Sequence, residues 1–184
     1  HPGAPRIRVH EGIAQLRLDR PAEHNRLDPA DIDAMTLWFA QLAADPAIRA
    51  LVITGTGERT FSSGYTLDAI LSELDDRLER MLDALEALPF VTIAALNGSV
   101  YGGATDLALA CDLRIGMAGC RMFMPAARFG LHYYAGGMRR YVSRLGLSAA
   151  KKLFLTAMTV ECDEMLRMGF LTEVVTADHF ATRI

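Results

Sequence analysis

This sequence lacks long apolar runs and an excess of positive charge, and each absence excludes a class of protein. The longest apolar segments, such as Leu107–Cys111, are far too short to span a bilayer. The net charge of -3 argues against a surface for nucleic acids or anionic membranes. We therefore expect neither a nucleic-acid partner nor a membrane partner.

Cysteine is scarce, and its pattern excludes two further kinds of protein. The three cysteines, Cys111, Cys120 and Cys162, are odd in number and show no CxxC spacing. They support neither a disulfide framework nor a zinc site. We expect no metal, and a reducing cytoplasm is the default location.

Motifs for nucleotide binding and serine hydrolysis are also missing. Gly55-Thr56-Gly57 lacks the third glycine of a dinucleotide fingerprint and the Gly-Lys-Ser/Thr of a P-loop, so we interpret it as a turn. Ser62, Ser63 and Ser99 do not form a Gly-x-Ser-x-Gly elbow, which disfavours a serine hydrolase.

What the sequence does contain is an alternation of short apolar runs and helical patterns, typical of α/β layering. Its 184 residues, 51% of them hydrophobic, suffice for a single domain with a substantial core. Asp28 as N-cap and Pro29 at the first position predict a helix start. The predicted strands are Ile7–Val9, Ile13–Leu18, Ala50–Thr54, Val91–Leu96, Leu113–Gly116, Arg121–Met124 and Leu171–Val175. The predicted helices are Pro29–Ala44, one from about Thr66 to Pro89, Gly103–Ala110, Gly136–Arg144, Ser148–Thr156 and Asp163–Met168.

The two ends of the sequence give an expectation about its extent. His1–Pro5 has the character of a tag remnant or an unstructured lead-in. Asp178–Ile184 stops in what has the pattern of a helix start. We expect residues 1–184 to be one core domain from a longer chain.

Two glycine-containing segments, Phe61–Tyr65 and Gly98–Gly103, lie where a strand ends and a helix begins. In α/β proteins, ligands gather at the carboxyl ends of strands, where loops carry backbone N–H groups. Gly102-Gly103-Ala104 opens a helix whose first N–H groups favour a negative oxygen. On this segment alone, a tight turn that needs small residues for packing is the favoured interpretation.

Isolated polar residues carry weaker signals. Asp106 follows Gly103 by about one helical turn, so its carboxylate is expected on the same side, although a favourable dipole interaction alone explains it as well. Asp112 fits a structural cap. The His132-Tyr133-Tyr134 cluster fits packing as well as catalysis. The Arg139-Arg140 pair fits a solvated helix face, with phosphate binding as the alternative.

Taken together, the loops and their flanks resemble the crotonase (enoyl-CoA hydratase/isomerase) superfamily from about Ile7 to Val175. The most specific match is Asn97–Leu109 followed by Ala110-Cys111-Asp112-Leu113-Arg114. The other matching segments, in chain order, are Leu18-Asp19-Arg20-Pro21, Asn25-Arg26-Leu27, Phe61–Leu67, Gly136-Gly137, Gly146-Leu147-Ser148 and Glu161–Val175.

The resemblance implies a fold, a ligand and an assembly. The fold is an α/β crotonase-like spiral of repeated β-β-α units, with the C-terminal helical part missing after Ile184. Family members bind acyl-CoA as substrate, need no cofactor, and assemble as homotrimers or hexamers. They stabilise a thioester enolate with two backbone N–H groups, which match Tyr65 and Gly103. The implied substrate contacts are Ala22 (where the family has a lysine), Glu23, His24, Ser62, Ser63, Gly64, Leu67 and Gly102.

The resemblance also bears on the reaction. Hydratases of this family place two glutamates around a water, and the matching residues are Asp106 and Ala126. Since hydration needs one group to activate water and one to deliver a proton, Ala126 argues against ordinary hydration. Three alternatives stay open. They are isomerisation with Asp106 as the single base, decarboxylation with a tyrosine matching Tyr133 as in the similar methylmalonyl-CoA decarboxylase branch, and a non-catalytic CoA-binding or assembly subunit.

Overall fold

The computed structural model describes residues 3–65 and 76–184, and in them the expected alternation of strands and helices is present. The strands are β1 (Arg6–His10), β2 (Ile13–Leu18), β3 (Ala50–Gly55), β4 (Thr60–Ser62), β5 (Val91–Leu96), β6 (Ser99–Tyr101), β7 (Leu113–Met117), β8 (Arg121–Phe123), β9 (Val160–Glu161) and β10 (Glu173–Val175). The helices are α1 (Pro29–Ala44), α2 (Arg77–Glu86), α3 (Gly103–Ala110), α4 (Ala135–Leu145), α5 (Leu147–Thr156), α6 (Cys162–Arg167) and α7 (Ala177–Arg183).

The larger sheet has six strands in the order β1-β2-β3-β5-β7-β10. Only the β1–β2 pair, joined at the Glu11-Gly12 turn, is antiparallel among these neighbours. In β2, Ala14, Leu16 and Leu18 are buried, whereas Ile13 is exposed. Side chains alternate between the two faces of a strand, so Ala14 shares the buried face with Leu16 and Leu18. Ile13 lies on the opposite face, although its larger apolar side chain would favour a core position.

A smaller sheet of four strands runs in the order β4-β6-β8-β9. Each of β3, β5 and β7 is followed along the chain by one short strand of this sheet, namely β4, β6 and β8. Strands β6 and β8 then lead to α3 and α4. This repeated β-β-α unit confirms the predicted crotonase-like fold. The sequence prediction contained β8 but not β4, β6 or β9.

Local signals placed several elements correctly. Pro29 is the first residue of α1, and the Asp28 N–H donates to Asp31 Oδ2 at 2.9 Å. The helix predicted from about Thr66 is present as α2, and its predicted beginning lies outside the described residues. The predicted strand Leu171–Val175 is shorter, because the Leu171 N–H bonds to Met165 O at 3.1 Å and closes a turn.

Helix α3 lies at the centre of the core, and all of its residues after Gly103 are buried. Its small and apolar side chains allow close packing on every side. Within the described ranges, no helix combines the length and the apolar character that a membrane span requires.

Candidate active site

The two glycine-containing loops predicted to hold a ligand contact each other at the beginning of α3. A Cβ added to Gly64 would lie 2.8 Å from the Gly103 nitrogen, too close for any side chain. Gly64 also has a φ of +92°, which disfavours other residues. A Cβ added to Gly103 would lie 3.6 Å from the Tyr65 nitrogen, so the two amides named by the resemblance are close neighbours.

Both amides belong to peptide units whose carbonyl oxygens are fixed by hydrogen bonds. The Gly64 carbonyl accepts from the Leu27 N–H at 2.8 Å. The Gly102 carbonyl accepts from the Thr105 N–H at 3.0 Å and from Thr105 Oγ1 at 2.6 Å. Because N–H and C=O point in opposite directions in a trans peptide, these bonds set the directions of the Tyr65 and Gly103 N–H groups. The Gly103 N–H also has no acceptor within its own helix.

Buried polar side chains support the loop that carries Tyr65. Ser62 Oγ donates to Asn25 O at 2.7 Å and accepts from the Gly64 N–H at 3.1 Å. Asn25 Nδ2 donates to Thr60 O at 2.8 Å. The Ser62 side chain is fully buried and bonded within the protein. Its hydroxyl therefore shapes the loop.

The first candidate CoA-binding segment lies beside this loop. Ala22 and Glu23 are exposed in a short 3₁₀ helix, and His24 follows in a left-handed conformation. His24 Nδ1 is 2.9 Å from Thr60 Oγ1, and the His24 carbonyl accepts from the Ser63 N–H at 2.8 Å. The structure thus brings Ala22–His24 together with the Ser62–Gly64 segment. Leu67 lies outside the described residues.

Asp106 is fully buried one turn beyond Gly103, and both of its oxygens are occupied. Oδ1 accepts from Arg140 Nη1 at 3.0 Å. Oδ2 accepts from the hydroxyls of both Tyr133 and Tyr134. A Cβ at Gly137 would lie 2.9 Å from Oδ2 and 2.4 Å from the Tyr133 ring, so glycine is required for this approach.

The two phenols are held in the neutral form. Burial, followed by the charge of Asp106, raises the pKa of Tyr133 well above its ordinary value. The same two causes raise the pKa of Tyr134. Both hydroxyls therefore carry a proton at neutral pH. His132, their sequence neighbour, is exposed.

Arg140 has no solvent exposure and joins three carboxylates, from Asp106, Asp83 and Glu86. Burial works to lower its pKa, but Asp106, Tyr134 and Glu86 together outweigh burial and the pKa lies above its ordinary value. The expectation that Arg140 lies on a solvated helix face is wrong. Arg139 alone fits it, because its side chain is 61% exposed.

Ala126, which matches the second hydratase carboxylate, is buried at the first position of a 3₁₀ helix, Ala126–Phe129. Its side chain is a methyl group and supplies no carboxylate at this position. Across the part of the chain that the structure describes, no three His, Cys, Asp or Glu side chains are grouped to hold a metal.

Comparison with known proteins settles the family. A family model for enoyl-CoA hydratase/isomerase matches residues 8–184. The chain belongs to the enoyl-CoA hydratase/isomerase family.

Several members of this family are similar along most of the chain. The short-chain-enoyl-CoA hydratase of Clostridium acetobutylicum is 29% identical over 170 residues, which cover 89% of this chain and 65% of that protein. The crotonyl-CoA hydratase of Syntrophomonas wolfei is 30% identical, covering 92% and 68%. A solved enoyl-CoA hydratase/isomerase family member has a TM-score of 0.92 at 26% identity, covering 98% of this chain and 73% of that one. The chain thus spans about two thirds of the length of these curated relatives.

In this member of the enoyl-CoA hydratase/isomerase family, the sequence carries only a weak signal for two residues that bond to Asp106, Arg140 and Tyr134. Arg140 follows Arg139 in α4, and adjacent arginines alone do not show which one faces the core. The sequence signal for this contact was the glycine pair Gly136-Gly137, because glycines within a helix allow another part of the chain to approach its backbone. At Gly137 the approaching groups are Asp106 and the Tyr133 ring. Asp112, in contrast, has the structural role expected for it, because its Oδ2 accepts from the Thr92 N–H at 2.8 Å.

Proposed function

We propose that this chain binds an acyl-CoA thioester with the carbonyl oxygen between the N–H groups of Tyr65 and Gly103. The proximity of the two amides and the hydrogen bonds that orient their peptide units support this proposal. Donors held in place before the reaction stabilise the developing enolate oxygen, each by about 3–4 kcal/mol in comparable oxyanion holes. The thioester is the substrate in this proposal, and no cofactor takes part.

We further propose that the enolate arises by loss of CO2 from a malonyl-type thioester. This proposal rests on the hydrogen bonds that the Asp106 carboxylate accepts from Arg140, Tyr133 and Tyr134. A carboxylate with both oxygens engaged is poorly placed to take a proton from an α-carbon, and Ala126 offers none. Decarboxylation needs no such base.

The proposed reaction has two steps. The bond between the α-carbon and the carboxylate breaks, CO2 leaves, and the electron pair forms the enolate, whose oxygen accepts from Tyr65 and Gly103. The α-carbon then takes a proton from the Tyr133 hydroxyl, which regains one from water. The raised pKa of Tyr133 means that the phenol carries the proton it would give at neutral pH. The products are a shortened acyl-CoA and CO2.

The direct test is incubation with malonyl-CoA and methylmalonyl-CoA, with products followed by mass spectrometry. We expect CO2 loss in the wild type. Tyr133→Phe should reduce turnover by roughly 10²-fold or more, the usual contribution of a general acid. Tyr101→Phe is a matched control, because the Tyr101 ring packs on Phe123, whereas the hydroxyls that bond to Asp106 are those of Tyr133 and Tyr134. Equal losses in both variants would contradict the role of Tyr133.

Hydration is the second candidate, favoured by the names of the two curated relatives. Since Ala126 removes one acid–base group, we expect crotonyl-CoA to be hydrated about 10²–10⁴-fold more slowly than by an enzyme with both carboxylates. Ala126→Glu should raise that rate. Rapid hydration by the wild type would overturn the argument from Ala126.

Two further outcomes separate the remaining alternatives. Efficient isomerisation of a 3-enoyl-CoA, abolished by Asp106→Asn, would identify Asp106 as a base and contradict the decarboxylation proposal. Tight CoA binding with no product, and with no exchange of the α-proton into deuterated water, would identify a non-catalytic subunit.

We also propose that the chain assembles as a homotrimer or a hexamer. An apolar groove of about 220 Å³ between α4 and α5 supports association. Leu147 and Leu155 border it and are 57% and 76% exposed. Contiguous exposed apolar surface of this kind is typical of interfaces.

A further inference from the structure

Two of the three cysteines face each other beside the end of the β8–β9 strand pair. Cys120 Sγ lies 3.7 Å from Cys162 Sγ. Strands β8 and β9 pair antiparallel with Arg121 opposite Glu161, so Cys120 and Cys162 occupy the next position of the same register. Residues directly opposite each other on antiparallel strands have Cα atoms about 4.5–5.5 Å apart, which lies within the range that a disulfide bridges.

We propose that Cys120 and Cys162 are a dithiol pair that a peroxide converts to a reversible disulfide. One thiolate attacks a peroxide oxygen, which breaks the O–O bond and leaves a sulfenic acid. The second thiolate attacks that sulfur and expels the oxygen as water. Two thiols and one hydrogen peroxide thus give one disulfide and two waters, and a thiol reductant reverses the change.

Exposure limits the kind of oxidant. Cys162 is 7% exposed and Cys120 is 3% exposed, so both thiols are buried and only a small oxidant can reach them. Burial, and next the neighbouring Cys162, raise the pKa of Cys120 above its ordinary value. The pair therefore requires an oxidant as small as hydrogen peroxide.

The position of the pair links it to the candidate active site. Cys120 immediately precedes β8, and the carbonyl of Phe123 at the end of this strand accepts from the Gly102 N–H at 3.1 Å. A disulfide would tie the beginning of β8 to the first residue of α6. It would also close a loop of 42 residues, which restricts the unfolded chain.

Cys111 provides a control within the same protein. It is fully buried in α3's C-terminal turn, and its Sγ points to the Leu107 carbonyl at 3.6 Å. Burial raises the pKa of Cys111 to about 12. Because Cys111 faces a carbonyl oxygen and not a second thiol, it should form no disulfide under conditions that oxidise the pair.

The test treats the folded protein with hydrogen peroxide and maps the peptides without reduction. We expect a Cys120–Cys162 peptide lighter by two hydrogens, one remaining thiol after denaturation, and a higher thermal midpoint that dithiothreitol reverses. Cys111→Ser should keep this disulfide, and Cys120→Ser and Cys162→Ser should abolish it.

Three remaining thiols in treated protein whose circular dichroism is native would overturn the proposal. So would a disulfide that involves Cys111, or one that forms only in urea. Peptide mapping of the wild type decides the matter even where a serine variant fails to fold.

Discussion

Arg140 places a positive charge where there is no solvent, and its loss would leave Asp106 buried without that partner. We expect Arg140→Ala to lower the free energy of unfolding by about 3–5 kcal/mol, the usual cost of breaking a buried ion pair. Urea denaturation measures this. Arg139→Ala is the matched control, because Arg139 also faces Glu86, at 3.4 Å, but is mostly exposed. It should change stability by at most about 1 kcal/mol. Equal effects would contradict the distinction.

Thr105 orients the Gly102–Gly103 peptide and also contacts the buried Tyr141 hydroxyl. Thr105→Val keeps the shape but removes the hydroxyl, leaving Tyr141 without that contact. We expect a loss of about 1–3 kcal/mol in the free energy of unfolding. Thr105→Ser should restore most of it. A valine variant as stable as the wild type would show that the hydroxyl is not needed to hold the turn.

Ion pairs join helices α2 and α4, because Glu86 of α2 pairs with Arg139, Arg140 and Arg144 of α4. Partial burial works to raise the pKa of Glu86, but the arginines outweigh it and the pKa lies below 4.5. The resulting stabilisation is complete above the unfolded-state pKa and is lost as pH falls through the lower folded-state value.

Acidification from neutral pH to about pH 3 should therefore destabilise the wild type more than Glu86→Gln. Urea midpoints at each pH measure the difference. Glu161→Gln, at an exposed glutamate in β9, should behave like the wild type. An identical pH profile for Glu86→Gln would contradict the contribution of Glu86.

Elements with a local signal could be predicted from sequence, and those that depend on distant partners could not. The signal for the beginning of α1 lies in two adjacent residues, Asp28 and Pro29, and the helix begins at Pro29. Strands β4 and β6 have three residues each, and Thr60 pairs with Ser99 far along the chain. No periodic pattern fits into such short strands. The same holds for Arg140, whose burial depends on Asp106, 34 residues away.

At the scale of the whole molecule, the groove between α4 and α5 predicts how assembly can be perturbed. Leu155→Asp puts a charge into the proposed contact and should lower the molar mass measured by light scattering at micromolar concentration. Thr156→Asp changes an exposed polar residue in the same helix and should not. A wild type that is monomeric at this concentration would contradict the proposed trimer or hexamer.

The burial of α3 has a consequence for the kinetics of amide exchange. Amides in the centre of this helix, such as that of Leu109, are enclosed on every side, so deuterium should enter them only when the whole molecule unfolds. The Gly103 amide, at the half-buried beginning of the same helix, should exchange from the native state. One short helix would thus contain amides whose exchange reports global unfolding and an amide whose exchange reports occupancy of the site.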